Sequence, residues 1–201
     1  MDEVADSLSN RRKRRRQRRL IIISGFLVFS IGMAWFFESQ ATTTVLVARY
    51  AEPAQSRKND PGLSKLGRSR AGELSRVLGK VDVVAGVDAI FVAPLRRAAE
   101  TSEPLATLNE APVHLIDEPV NVEHLVQRIL TEYKGKIVLV VTESDVMQPL
   151  IAEMHGSKKL AEIRESEHDN LFVVSIPWFG KVKTLQLKYG QPFEENTGPS
   201  G

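Results

Sequence analysis

The chain has 201 residues, of which 42% are hydrophobic and 26% charged. This composition is typical of a globular protein and excludes a disordered or collagen-like chain. The absence of cysteine excludes disulfide bonds, cysteine-based zinc sites and thiol nucleophiles. The formal charge is +2, but residues 1–19 hold eight of the 27 basic residues and only three of the 25 acidic ones. The basic balance therefore belongs to an amino-terminal tail and does not predict that the rest binds nucleic acid.

An apolar run follows this basic tail. Residues 20–37 carry no charge, and at about 1.5 Å per residue they would extend about 27 Å, close to the hydrocarbon thickness of a bilayer. The run predicts a transmembrane helix, and Trp35 would lie at its far interface. The preceding cations predict a cytoplasmic tail over 1–19 in a single-pass protein of the bacterial inner membrane. The remainder would then be periplasmic or otherwise extracytoplasmic. The alternative is a signal peptide cleaved near Ser39-Gln40-Ala41.

A short stem is predicted at 38–42 and a loose tail at 194–201. Between them, strands and helices are predicted to alternate in one domain over 43–193. Helical spacing over 69–78 predicts a helix with Leu74, Val77 and Leu78 on one face. Further helices are predicted from Pro94 to about Leu108 and after an N-cap at Asn121. Apolar runs predict strands at Val45–Ala48, Ala89–Ala93, Val113–Ile116, Ile137–Val141, Leu171–Ile176 and Thr184–Leu187. This alternation predicts an α/β fold whose sheet is mostly parallel, with an antiparallel portion near the C-terminus.

In such sheets, ligands bind beyond the carboxyl ends of the strands. The loops at these ends read Ala48-Arg49-Tyr50-Ala51-Glu52, Ala93-Pro94-Leu95-Arg96-Arg97-Ala98 and Thr142-Glu143-Ser144-Asp145. These loops resemble those of the histidine phosphatase superfamily. The resemblance extends to further positions between and after the loops: Asp60, Pro61, Leu63, Gly67, Arg70, Ala71, Thr101, Trp178-Phe179-Gly180 and Tyr189-Gly190. The resemblance implies a three-layer α/β/α sandwich with a mostly parallel central sheet, phosphoglycerate-mutase-like, here preceded by one N-terminal transmembrane helix. It also implies a phosphate pocket at Arg49 and Arg97, with Arg96 as a third candidate cation.

The chain departs from the family pattern at three positions. Tyr50 stands where the family has its nucleophilic histidine, Glu143 where it has the second histidine, and Ala93 where it has a small hydroxyl residue. Tyrosine hydroxyls ordinarily have a pKa near 10, so about one in a thousand is ionised at neutral pH. A carboxylate about 4 Å from one phosphate charge costs about 4 kcal/mol at an effective dielectric constant of 20. We therefore expect Glu143 to pair with Arg49 or Arg97 and close the pocket to anions.

No other residue supplies the missing groups. His114, His124, His155 and His168 match neither family histidine, and packing in the core or on the surface is the expectation for each. Their spacing predicts no metal site, and no cofactor is expected. Glu52, Glu118 and Asp145 lie near the expected mouth of the pocket. Glu118 is either the counterpart of the family's proton donor or a solvated loop acid.

These features favour a membrane-anchored pseudophosphatase that acts in binding or regulation at the cell envelope. Its expected partners are the membrane, through 20–37, and an envelope protein or an anionic ligand, with no nucleic acid. One alternative is a divergent active phosphoesterase that uses Tyr50 as nucleophile and Glu143 as acid and base. The other is a structural membrane tether.

Overall fold

A computed structural model describes residues 2–38, 42–56, 59–79, 86–157, 164 and 167–190, and it divides the chain into two compact units at residue 40. The first unit consists of one helix, α1 (Asp2–Glu38). Its segment Arg16–Phe36 is long and apolar enough to cross a membrane. The predicted span at 20–37 lies inside α1, and the basic tail continues the same helix towards the N-terminus. The predicted carboxyl-terminal tail at 194–201 lies outside the described residues.

The second unit is built on a six-stranded sheet in the order β3-β2-β4-β1-β5-β6. Strands β1 to β4 are parallel to one another, whereas β5 and β6 run antiparallel to their neighbours. This arrangement confirms the predicted mostly parallel sheet with an antiparallel portion near the C-terminus. The strands are β1 (Thr43–Arg49), β2 (Ala89–Val92), β3 (Val113–Leu115), β4 (Ile137–Thr142), β5 (Asn170–Ile176) and β6 (Lys183–Lys188).

Helices cover both faces of the sheet, as expected for parallel strands that are apolar on both sides. The helices are α2 (Lys65–Leu78), α3 (Arg96–Asn109), α4 (Val122–Glu132) and α5 (Ser144–Glu153). On one face, Leu74 of α2 and Leu105 of α3 share a core with Leu46 of β1. On the other, Ile129 of α4 and Leu150 of α5 share a core with Val45. The predicted three-layer sandwich is therefore confirmed.

Two helix starts follow from local hydrogen bonding. The Ser64 hydroxyl accepts from the backbone N–H of Gly67, so α2 begins at Lys65, four residues before the predicted start. Asn121 caps α4 as predicted, because its side chain accepts from the His124 N–H. The inward placement of Val77 was wrong, since this residue is 38% exposed while Leu74 and Leu78 are buried.

Candidate functional site

The carboxyl ends of β1, β2 and β4 meet at one edge of the sheet. Arg49 at the end of β1 lies opposite Thr142 at the end of β4. The backbone N–H of Tyr50 donates to the Thr142 carbonyl at 3.3 Å, and that of Ala93 donates to the Val141 carbonyl at 2.9 Å. These bonds extend the sheet by one residue, so the three loops singled out in the sequence lie side by side.

Tyr50 lies close to two guanidinium groups. Its side chain is only 7% exposed, and the centroid of its ring lies 5.1 Å from Cζ of Arg49 and 4.4 Å from Cζ of Arg97. Arg49 also donates from Nη2 to the Tyr50 hydroxyl at 3.5 Å. Both arginines are within the range in which a cation is attracted to an aromatic face. The ring therefore lies next to both cations of the expected phosphate pocket.

Arg97 is also engaged by two carboxylates. Its Nη2 lies 3.3 Å from Oε1 of Glu143, and its Nη1 lies 3.6 Å from Oδ1 of Asp60. Of the two partners named for Glu143 from the sequence, Arg97 makes this contact. The Arg97 side chain is 15% exposed, whereas both carboxylates are more than 40% exposed. The charge of Arg97 is therefore balanced by Glu143 and Asp60, which are more exposed than Arg97.

Arg96, the third candidate cation, lies at the surface. Its side chain is 60% exposed and pairs with Glu100 one turn further along α3, at 2.6 Å. Its backbone N–H donates to Asp60 at 2.8 Å, and Glu100 accepts from the Leu63 N–H at 2.7 Å. These contacts fix the 60–63 loop to the start of α3. Arg96 thus connects the 60–63 loop to α3, and among the described residues no contact joins it to Tyr50.

Thr101 holds the loop after β1 in position. It is fully buried, accepts from the Ala51 N–H at 2.9 Å and donates to the Arg97 carbonyl at 2.7 Å. Because one hydroxyl connects both segments, Tyr50 and Arg97 are held at a fixed spacing.

The acids expected near the mouth have different environments. Glu52 pairs with Arg70, whose Nη2 is 2.7 Å from Oε1 of Glu52. Burial opposes ionisation of Glu52, but the hydrogen bond and the charge of Arg70 outweigh it, so the pKa of Glu52 is below its usual value. Glu118, just before the cis peptide bond at Pro119, and Asp145, in the first turn of α5, are both exposed.

His168 lies against Tyr50, which the sequence did not indicate. Its Nδ1 is 2.8 Å from the Tyr50 carbonyl oxygen, and the two ring centroids are 5.9 Å apart. Since a carbonyl only accepts, Nδ1 carries the proton. Burial lowers the pKa of His168, the bond to Tyr50 opposes this shift, and the charge of Arg49 adds to it. His168 is therefore a neutral imidazole that supports the Tyr50 backbone.

This environment predicts a pH dependence of folding. Because the pKa of His168 is lowered in the folded domain, the unfolded chain binds the proton more readily, and stability is lost as the pH falls through about 6.5. The free energy of unfolding should change by at most about 1.4 kcal/mol per pH unit. This pH dependence should disappear in His168→Asn, whose amide can still donate to the Tyr50 carbonyl. Urea unfolding between pH 5.5 and 7.5 measures it, and equal slopes in both proteins would contradict the assignment.

The other histidines lie apart from the site. His114 bonds to the Tyr133 hydroxyl at 2.6 Å, His124 lies in the first turn of α4, and His155 follows α5. Within the part of the chain that the structure describes, no group of three or more histidine and acidic side chains is placed to hold a metal ion.

Comparison with known proteins places this geometry in a family context. Residues 46–118 match the family model of the histidine phosphatase superfamily (branch 1). A structure of mycobacterial hydrolase 2 is 14% identical, with a TM-score of 0.58 over 76% of this chain and 94% of that one. The protein histidine phosphatase SixA, solved with tungstate, is 19% identical, with a TM-score of 0.56 over 72% of this chain and 96% of that one.

A third solved structure, mycobacterial glucosyl-3-phosphoglycerate phosphatase, is 15% identical, with a TM-score of 0.54 over 75% of this chain and all of that one. No curated protein matches the chain. At these identities the solved structures establish the fold alone. Residues 46–118 thus match the histidine phosphatase superfamily, and the domain that contains them has the histidine phosphatase fold.

Proposed function

We propose that the domain is a pseudophosphatase, anchored in the bacterial inner membrane by α1 and acting in binding or regulation at the cell envelope. The observation that carries this proposal is that Tyr50 stands at the family's nucleophile position, is 7% exposed and lies beside the guanidinium groups of both Arg49 and Arg97. A tyrosine ring beside both cations supplies no imidazole nitrogen that could attack a phosphoryl group. The domain therefore keeps the two cations of the expected pocket but lacks the family's nucleophile.

The electrostatics of the rim support the same proposal. Glu143 occupies the position of the second family histidine, and its carboxylate is 3.3 Å from Arg97. A phosphate that enters this site would have to displace Glu143 or tolerate its charge, which costs about 4 kcal/mol per charge pair at 4 Å and an effective dielectric constant of 20. Glu143 also offers no lone-pair nitrogen with which to replace an imidazole.

Two polar atoms of the site have no hydrogen-bond partner among the described residues. They are Nε of Arg97 and Oγ1 of Thr142, and both are fully buried. Leaving such groups unsatisfied costs free energy. Because both atoms are fully buried, a ligand or partner could use this donor and this hydroxyl only if the side chains around them moved.

The structural neighbours suggest the class of ligand. They include a protein histidine phosphatase and a glucosyl-3-phosphoglycerate phosphatase. We therefore propose that this domain binds an envelope protein or an anionic ligand without hydrolysing it. The basic residues before the apolar segment of α1 support a cytoplasmic N-terminus and an extracytoplasmic domain.

The active alternative has one observation in its favour. Arg49 donates to the Tyr50 hydroxyl at 3.5 Å, so a cation adjoins the oxygen that would attack phosphorus. Tyrosine does act as a covalent nucleophile in some enzymes. A direct assay separates this alternative from the pseudophosphatase.

We expect the full chain in detergent to show no turnover of phosphomonoesters or of phosphohistidine in a protein substrate. Phosphate release is the measurement, with Tyr50→Phe as the diagnostic variant. Tyr133→Phe is the matched control, because that tyrosine contacts His114 on the other face of the sheet. Turnover that Tyr50→Phe abolishes and Tyr133→Phe preserves would establish the active alternative.

A further inference from the structure

The turn between β5 and β6 presents two exposed aromatic side chains. Trp178 is 55% exposed and Phe179 is 87% exposed. The turn closes at Gly180, whose φ of +115° is one that glycine adopts without strain. Neither aromatic ring belongs to the hydrophobic cores of the described domain. Two adjacent aromatic side chains with this much exposed surface indicate a site that contacts another molecule or a membrane.

The register of the sheet places this turn where the chain enters the domain. Thr43, the first residue of β1, pairs with Ile176, the last residue of β5. The aromatic pair follows Ile176 after one proline, so it lies beside the amino-terminal end of β1. Arg49 is six residues further along β1, about 20 Å away at 3.3 Å per residue. The aromatic turn and the candidate pocket therefore lie at opposite ends of the sheet.

Basic residues surround the aromatic pair. Segment 176–184 contains Lys181 and Lys183 and no acidic residue. The turn before β4 adjoins the same end, because the N–H of Gly135 donates to Thr43 Oγ1 at 2.9 Å, and it carries Lys134. Lys134, Lys181 and Lys183 are exposed and form no ion pair with any other described residue. Aromatic rings beside lysines are the chemistry of a membrane interface that contains anionic lipids.

The short connection between α1 and β1 also favours a contact with the membrane. Only residues 39–42 separate Glu38 at the end of α1 from Thr43. Fully extended, these five steps reach about 18 Å. If α1 spans the bilayer, the end of the sheet that begins at Thr43 stays within that distance of the end of the helix.

We propose that the Trp178–Phe179 turn inserts into the headgroup region of the bilayer that α1 spans, while Lys181 and Lys183 contact anionic lipid phosphates. This contact is a second membrane attachment, which sets the orientation of the domain and leaves the candidate pocket facing away from the lipid. The inference rests on the proposed membrane anchor, but it does not depend on whether the pocket is inactive.

Tryptophan fluorescence in vesicles tests this directly, because the chain contains only Trp35 and Trp178. The full chain carrying Trp35→Phe would be reconstituted in phosphatidylcholine–phosphatidylglycerol vesicles with bromine near the headgroup end of the acyl chains. We expect Trp178 emission to be shifted to the blue and quenched by the brominated lipid. Lys181→Gln with Lys183→Gln should reduce this quenching, and so should vesicles of phosphatidylcholine alone.

A matched control places the reporter at the pocket end. Leu115 ends β3, which is parallel to β1, and is 63% exposed. With both natural tryptophans replaced by phenylalanine, the reporter introduced by Leu115→Trp should not be quenched. Equal responses of the two reporters would overturn the proposal.

A further variant, Trp178→Phe, retains Trp35 and reports on α1 itself. Quenching of Trp35 without quenching of Trp178 would overturn the aromatic contact and leave the anchor intact. No quenching of Trp35 would overturn the anchor and this inference together. Neither result bears on whether the pocket hydrolyses phosphate, so the two proposals fail separately.

Discussion

Arg70→Met should destabilise the domain by about 3–5 kcal/mol, the range for removing one partner of a buried ion pair. Arg70 is 4% exposed, and both its Nε and its Nη2 lie 2.7 Å from Oε1 of Glu52. Its Nη1 also donates to the Tyr189 carbonyl at 3.1 Å, which connects α2 to the residue after β6. Methionine fills a similar volume but leaves the Glu52 carboxylate without its cation, so the cost arises from unpaired charge more than from lost packing.

Arg76→Met is the matched control on the same helix. Arg76 is 71% exposed and pairs with Glu73 at 2.8 Å, and a surface pair of this kind contributes about 0–1 kcal/mol. Urea unfolding of the full chain in detergent, followed by circular dichroism, gives both values. Adding Glu52→Gln to Arg70→Met should recover part of the loss, because the unpaired charge is then gone. Equal small losses in the two single variants would show that the Glu52–Arg70 pair does not stabilise the domain.

Glu143→Gln should allow inorganic phosphate to bind. The change removes the carboxylate 3.3 Å from Arg97 and leaves the cations of Arg49 and Arg97 beside Tyr50. Without phosphate, we expect a loss of less than about 1 kcal/mol, because Glu143 is 42% exposed and Asp60 still contacts Arg97. With phosphate at 100 times its dissociation constant, ligand binding would stabilise the variant by about 2.7 kcal/mol.

Thermal melts of parent and variant with and without phosphate measure this effect. For a domain of this size, each kcal/mol corresponds to roughly 2–4 °C. Glu153→Gln is the control, because that residue ends α5, at the opposite end of the helix from Glu143. If phosphate stabilises the parent and Glu143→Gln equally, Glu143 does not guard the site, and closure of the pocket depends on Tyr50 alone.

Most strands were predictable because they are short apolar runs rich in β-branched residues. Strand β6 was predictable because Leu185 and Leu187 alternate with polar residues. The starts of α2 and α4 depend on the side chains of Ser64 and Asn121, and only the second had been recognised as a cap. Helix α5 was not predicted. It is ten residues long and contains Pro149, a residue that usually ends helices, so a local pattern gave little reason to expect it.

The candidate site could be predicted to the extent that its residues follow strands. Arg49 ends β1, Tyr50 follows β1 and Glu143 follows β4. Because β1 and β4 pair in parallel, these residues meet at one edge of the sheet. His168 could not be found in this way, because 118 positions separate it from Tyr50 and no motif surrounds it. Arg96 and Arg97 are adjacent in sequence, and only the direction in which α3 begins determines that Arg97 faces Tyr50 while Arg96 pairs with Glu100.

The position of β1 in the sheet has a consequence for biosynthesis. Although β1 is made first among the strands, its neighbours are β4 and β5, more than 90 residues later in the chain. The segment 46–118 contains β2 and β3, but β4 lies between them and β1, so this segment cannot close a sheet by itself. Such non-local pairing slows folding and leaves apolar strands unpaired in the meantime. A nascent chain would therefore need protection by chaperones until β5 has emerged, and truncation before Ile137 should yield an aggregation-prone fragment.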